Sequence, residues 1–295
     1  MISNFKFIMP ISDDNLWILK ICFVMYEKYW PKEQQFIVLG FKKPDFEMPS
    51  NWLFVSLDTQ QKGGAQNWSK YIANYLKTID DEAVIFGLED FIPTDHCLDL
   101  PFLQAYYYAQ DNLGRFELGW DTHLGIEHKE KYDLGHYKII QAKNEAMYRI
   151  STQTSLWKKK YLIKYLDRCW SPWQFEVEGS IMATFDDKFK VLACKDEEKF
   201  RIYPAKWIHK GAISRLQPGK FNVLGLKLDD IKYLCDLSLI KQEDLIMGQW
   251  QGYVPTFNEL GGFNLDFEKF RNIESIKQYT NHNWREYENI YNNKH

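Results

Sequence analysis

Four short apolar runs near the start constrain this chain more than any other feature: Phe5–Ile11 (FKFIMPI), Gln35–Gly40 (QFIVLG), Trp52–Leu57 (WLFVSL) and Glu82–Leu88 (EAVIFGL). They are too short for helices and too continuously apolar for strands with one wet face. That pattern predicts strands buried on both faces, as in a parallel sheet covered by helices. The connecting segments agree. Ser12-Asp13-Asp14-Asn15 offers N-cap residues to the apolar run Leu16–Trp30, which Pro31 stops. After Gly63-Gly64, residues Trp68, Ile72, Tyr75, Leu76 and Ile79 recur at helical spacing. Residues 1–120 therefore read as an α/β layer, in which ligands are expected at the carboxyl ends of the strands.

The remainder is less regular. Helices are predicted over Cys97–Gln110 and Ser155–Asp167, and short strands near Lys188–Cys194 and Phe200–Ile208. Leu118–Tyr137 is Gly-rich and polar and reads as loop. Leu226–Met247 holds two weaker helical patterns, and Phe267–Asn293 is a polar segment expected to form a terminal helix packing by one face. The expected division is one domain over 1–225, in two halves (1–120 and 121–225), with a helical extension over 226–295.

Composition narrows the class of partner. With 295 residues, 17% of them aromatic, the chain can bury a large core and is neither a disordered segment nor a disulfide-built mini-protein. Thirty-seven Lys and Arg against 40 Asp and Glu leave a net charge of -3, so no global field draws the chain to nucleic acid or an anionic bilayer. Five scattered cysteines without a C-x-x-C pair suggest a reducing, cytoplasmic home. Met1–Asn4 runs into the first strand without the basic region or small-residue cleavage site of a signal peptide, so none is expected, and the apolar stretch Leu16–Met25 falls short of the roughly 20 residues that span a bilayer. Any membrane attachment is expected to be peripheral, at the inner face.

Acidic residues supply the candidate chemistry. Glu89-Asp90 directly follows the fourth apolar run, and adjacent carboxylates at a strand end repel one another unless a cation or hydrogen bonds offset them. Hard oxygen ligands of this kind suit magnesium or manganese. The competing reading is that Asp90, or Thr94 with Asp95, caps the next helix. In Trp170-Ser-Pro-Trp-Gln-Phe-Glu-Val-Glu-Gly179, aromatic residues surround Glu176 and Glu178. Aromatic walls desolvate a carboxylate towards general-base work and suit the apolar faces of a sugar ring, the alternative being a solvated strand edge over an ordinary core. Helix capping is the expected role of at least one of Asp13 and Asp14. His209, with Lys210 beside it, is a candidate metal or phosphate contact, while His123, His128 and His136 lack zinc-site spacing. Lys158-Lys159-Lys160 with Lys164 is expected to be a solvated helix face, or else a patch for a phosphorylated lipid or nucleic acid acceptor. There is no Walker motif, G-x-G-x-x-G or G-x-S-x-G, which removes support for ATPase, Rossmann dehydrogenase and triad hydrolase readings.

Taken together, FKFIMPISD, NWSKYIANYLKTIDDEAVIFGLEDF and SLWKKKYLIKYLDRCWSPWQFEVEGS resemble a family of glycosyltransferases of GT-A nucleotide-sugar fold, found mainly in microbial and viral sequences. The resemblance spans roughly residues 5–225. It matches Trp68-Ser69 to a helix opening, Glu89-Asp90 to the position of the D-x-D metal motif, and Trp173, Phe175 and Glu176 to a W-x-F-E-like segment near the acceptor. What it implies is a GT-A-like α/β fold with a mostly parallel central sheet, and transfer of a sugar from a nucleotide diphosphate, a uridine one by expectation, to a hydroxyl of a glycan or other acceptor. The implied donor site comprises Pro10, Ile11, Ser12, Asp13, Asn67, Trp68, Glu89, Trp173, Lys210 and Lys220. Asp90, Glu89 and His209 would hold Mn2+ or Mg2+, although Leu88-Glu89-Asp90-Phe91 departs from a strict D-x-D. Glu176 would be the base, with Glu178 in reserve. Competing readings are an idle carbohydrate- or nucleotide-binding protein of the same fold, a nucleotidyltransferase, and a transferase acting on modified DNA.

Overall fold

The computed structural model describes residues 5–58, 64–97, 100, 104, 107, 113–118, 128–133, 138–146, 148–194, 208–209, 212–213 and 228–239. The chain divides into two units, residues 1–248 and 249–295, and every described residue lies in the first.

The first three apolar runs form β1 (Phe7–Pro10), β2 (Phe36–Gly40) and β3 (Trp52–Ser56), and the fourth forms β4 (Ala83–Phe86). β1, β2 and β4 are buried at every position, as their unbroken apolar sequences require. β3 lies at the edge, and Leu53 on it is exposed. Between the strands run α1 (Ile18–Tyr29) and α2 (Trp68–Leu76). α1 packs rings against the sheet, where Tyr26 meets Phe7 edge-on at 5.4 Å, and within the sheet Phe36 of β2 stacks on Trp52 of β3 at 4.0 Å.

Five more strands extend the layer: β5 (Leu113–Glu117), β6 (His128–Asp133), β7 (Lys138–Ala142), β8 (Ser155–Lys158) and β9 (Lys190–Cys194). The nine-stranded order is β3-β2-β1-β4-β8-β5-β9-β7-β6. β1 to β4 are parallel, as are β5 and β9, while β8 and β7 run against their neighbours. The expected α/β fold with a mostly parallel central sheet is what the chain adopts.

Two expectations are corrected. Ser155–Lys158 is a strand and not the start of a helix; only α3 (Lys159–Leu166) is helical. Leu156 and Trp157 fit a helical period, but both are fully buried because β8 is wedged between β4 and β5 with both faces covered, so sheet pairing overrides the local pattern. Part of the polar stretch Leu118–Tyr137 is likewise strand: β6 pairs along β7 at the sheet edge. α4 (Pro172–Thr184) follows α3, with Pro172 at its first turn and a reciprocal cap between Ser171 and Gln174.

Of the predicted Cys97–Gln110 helix, Leu100, Gln104 and Tyr107 are helical and buried; the other residues after Cys97 lie outside the described residues. β10 (Ile208–His209) and β11 (Ala212–Ile213) form a separate two-stranded ribbon. α5 (Leu228–Asp236) falls in the expected C-terminal extension, and its Asp230 accepts hydrogen bonds from Lys28 and from the Tyr29 hydroxyl of α1. The rest of that extension, including Phe267–Asn293, lies outside the described residues. Among the described residues no helix is long and apolar enough to cross a membrane.

Candidate functional site

The register brings three loops to one edge of the sheet. β8 begins where β4 and β5 end, since Ser155 stands opposite both Phe86 and Glu117. The segments after β1 and β4 and before β8 therefore converge at the carboxyl edge of the parallel strands, where α/β sheets take their ligands.

Glu89 and Asp90 occupy this edge, and both are buried, Asp90 with 9% of its surface exposed. α1 and the turn before it hold them. Asn15 Nδ2 donates to Glu89 Oε1 at 2.6 Å, the Cys22 thiol to the Glu89 carbonyl at 3.4 Å, and the Tyr26 hydroxyl to the Phe91 carbonyl at 3.0 Å. Burial, followed by the nearby carboxylates of Glu89 and Asp90, pushes the Cys22 thiol well above its ordinary range, so it acts as a neutral donor.

The residues after β1 act differently from their expected capping role. Neither Ser12 nor Trp17, the residues that enter the 3-10 turn Asp13–Asn15 and α1, makes a side-chain cap. Asp13 instead accepts the Lys42 backbone N–H at 2.9 Å, tying the loop after β1 to the loop after β2. Pro10 and Ile11 are buried beneath this turn, while Ser12 and Asp13 are exposed above it. Asp95 accepts the His96 N–H at 2.9 Å.

The loop before β8 is held from below by two arginines that the sequence reading passed over. Arg115 on β5 is fully buried and pairs with fully buried Glu117, while its guanidinium donates to Ser155 Oγ at 2.9 Å and to the carbonyls of Tyr148 and Arg149 at 2.9 and 3.1 Å. Arg149, also fully buried, donates to the Lys143 carbonyl and Asn144 Oδ1, each at 2.7 Å, and to the Phe189 carbonyl. Burial lowers the Arg149 guanidinium to about 10, which leaves it charged at neutral pH. Between them Tyr148 takes a left-handed backbone, φ 52°, a strained conformation for a bulky residue that its carbonyl contact with Arg115 helps to hold.

This loop presents Ser151 and Thr152 to α4. The Thr152 backbone N–H and hydroxyl reach Glu176 Oε1 at 2.7 and 2.6 Å, and the Ser151 hydroxyl reaches it at 3.3 Å. Oε2 takes none of these bonds. Further along, Thr154 lies so near the strand end that a Cβ on Gly87 would stand 2.5 Å from its hydroxyl; glycine is what permits the approach. One loop thus touches both Glu176, through Ser151 and Thr152, and Gly87 at the end of β4, two residues before Glu89.

Of the aromatic residues expected around Glu176, Phe175 is turned away from it. On a helix, Phe175 and Glu176 point about 100° apart. Phe175 turns into the core, where its ring lies 5.8 Å from Trp68 and 6.3 Å from Phe86, and Glu176 meets hydroxyls. Glu178 is buried, whereas Trp173 is 65% exposed. Trp68 is half-buried among core rings, and Ser69 bonds the backbone of Arg168 and Trp170, so this pair locks α2 to the start of α4; Asn67 is half-buried just before it.

His209 lies on β10 opposite Ala212, and Lys210 and Lys220 lie outside the described residues. The basic run is in part spent internally: Lys159 donates to the Ile79 carbonyl, and Lys164 pairs with Asp186 at 2.5 Å. Among the described residues no group of three His, Cys, Asp or Glu side chains is placed to hold a metal ion. The carboxyl edge itself offers the Glu89-Asp90 pair, with one Glu89 oxygen already bonded to Asn15. That donor set fits a cation taking most of its ligands from phosphate and water, as magnesium does, and does not fit one caged by protein.

No family model matches the sequence, and no curated protein matches it. Among solved structures, a mannosyltransferase from Pyrobaculum calidifontis in complex with GDP-Man and Mn2+ aligns at 10% identity over 64% of this chain, TM-score 0.39. The match spans 56% of that enzyme, little more than half its length. Residues 1–349 of TarS from S. aureus align at 14% identity over 67% of this chain and 62% of that one, TM-score 0.41. A cytidylyltransferase from Leptospira borgpetersenii aligns at 12% identity over 81% of this chain and 97% of its own, TM-score 0.40. Likenesses of this size assign neither a family nor an activity to the chain.

Proposed function

We propose that the chain is a glycosyltransferase that moves a sugar from a nucleotide-diphosphate donor to an acceptor hydroxyl. The observation that carries this reading is the one loop that touches both Glu176 and Gly87 at the strand end before Glu89-Asp90. Three donors on Oε1 fix the Glu176 carboxylate and leave Oε2 for a proton. In an inverting displacement Oε2 takes the proton of the acceptor hydroxyl, the acceptor oxygen bonds to the anomeric carbon, and the bond from that carbon to the diphosphate breaks. Placement of the base before substrate arrives lowers the cost of orientation.

The loop Pro10–Asp13, with Asn67 and Trp68 at the opening of α2, would border the donor. A divalent cation, when bound, offsets the charge that grows on the leaving diphosphate, and Asp90 is the residue that would hold it. Glu89 is better suited to keeping the strand end in place, because Asn15 already engages it. The resemblance of the sequence favours a uridine donor.

The test is product release from a panel of nucleotide sugars by the native chain, Asp90→Asn and Glu176→Gln. Each variant is expected to melt with the native chain and to release nucleoside diphosphate at least about a hundredfold more slowly. Full activity in both would dismiss this site. Pyrophosphate released from nucleoside triphosphates would instead establish nucleotidyl transfer, and saccharide binding without turnover would establish an idle module.

A further inference from the structure

The most exposed large apolar side chain of α4 stands beside the proposed base. Trp173 is 65% exposed and Val177 48% exposed, in a protein whose other described tryptophans are buried or half-buried. Trp173, Glu176 and Val177 are spaced i, i+3 and i+4, so the three share one helix face with about 5–6 Å between Cβ positions. Among the described residues, Trp173 makes no ring contact and its indole N–H no hydrogen bond. Trp173 and Val177 together leave an apolar surface beside the hydrogen-bonded Glu176 carboxylate, open to a ligand.

We propose that Trp173 is the stacking platform for a pyranose ring of the acceptor, which makes the acceptor a saccharide. This rests on the transferase reading, and it moves Trp173 from the donor side of the site to the acceptor side. The chemistry around the ring selects the ligand. A sugar offers an apolar C–H face to stack on indole and hydroxyls at its rim to meet a carboxylate. Glu176 is the charged side chain one turn along the same face, with the hydroxyls of Ser151 and Thr152 at its Oε1. A carboxylate there repels the phosphates of nucleic acid and of anionic lipid. A pyranose stacked on Trp173 would present a rim hydroxyl towards Oε2, the oxygen left for its proton.

The test is affinity electrophoresis of the full chain through native gels cast with soluble mannan, β-glucan, xylan or dextran, run beside Trp173→Ala, Trp173→Phe and Glu176→Gln. At least one polysaccharide is expected to retard the native chain. Trp173→Ala should weaken that retardation at least about tenfold, and Trp173→Phe, which keeps a ring, should restore most of it. Since Trp173 is exposed, the variants are expected to melt with the native chain, which separates lost binding from lost fold. Equal retardation of Trp173→Ala and the native chain would overturn the proposal. So would a chain that no polysaccharide retards, or one that instead sediments with anionic vesicles or shifts with duplex DNA through Trp173. Because the gels need no turnover, a retarded chain that releases no nucleoside diphosphate would sink the transferase reading and leave the saccharide platform standing.

Discussion

The region around α1 and the centre of the sheet are held together by different physics. Around α1, the core is aromatic: Phe7, Tyr26, Trp30, Phe36 and Trp52 meet edge-on or stacked, and no charged group is needed to hold them. Around β5 and β8 the interior contains two fully buried arginines, which donate to carbonyls up to 40 residues away, and a fully buried glutamate paired with Arg115. Apolar packing is tolerant, since rings of similar volume can replace one another. Hydrogen-bonded buried charge is not, because removing one partner leaves the others unsatisfied. The tolerant region supports the fold, and the intolerant one holds the loop that orients Glu176. Precision is placed where the proposed chemistry needs it.

Replacing one member from each region should break or sharpen this contrast. Arg149→Met keeps much of the side-chain volume but orphans two carbonyls and the Asn144 amide oxygen, and a loss of about 3–5 kcal/mol is expected in urea unfolding. An unchanged midpoint would show the arginine to be dispensable and dissolve the comparison. Trp52→Phe, in the aromatic region, should cost only about 1–2 kcal/mol and leave the Glu176 loop untouched. A larger loss than that of Arg149→Met would reverse the ranking.

The smallest effect is electrostatic and lies at the surface. Hydrogen bonds from Lys70 and then Lys77 hold the Asp167 carboxyl at about 2, below the ordinary 3.8. A carboxyl depressed in this way stabilises the fold above pH 4 and loses that contribution as the pH falls from about 4 to about 2. Asp167→Asn should therefore lower the melting temperature slightly at neutral pH and not at pH 2. A difference that persists undiminished at pH 2 would assign the effect to packing instead of charge.

β1, β2 and β4 were legible because burial on both faces writes itself into contiguous residues, whereas β3 carries the same apolar run at the sheet edge with Leu53 exposed. The edge position of Glu89-Asp90 followed from that same pattern. α4 could also have been found: Ser171-Pro172 with Gln174 is a capping signature, but the alternating aromatic and acidic residues that follow suggested a strand edge. The helical reading of Ser155–Lys158 failed for a different reason. Its apolar residues satisfy both periods, and only the insertion of β8 between β4 and β5 decides between them.

What the sequence by itself determined is the parallel α/β start of the fold and the acidic pair at its fourth strand end, because those depend on short-range hydrophobic patterning. Tertiary structure alone decided that Arg115, Glu117 and Arg149 are interior, that Glu176 is bonded by the hydroxyls of Ser151 and Thr152, and that Trp173 stands in water. A charged residue becomes buried only when distant donors and acceptors converge on it. Partners 24 to 40 positions apart leave no trace in a local pattern.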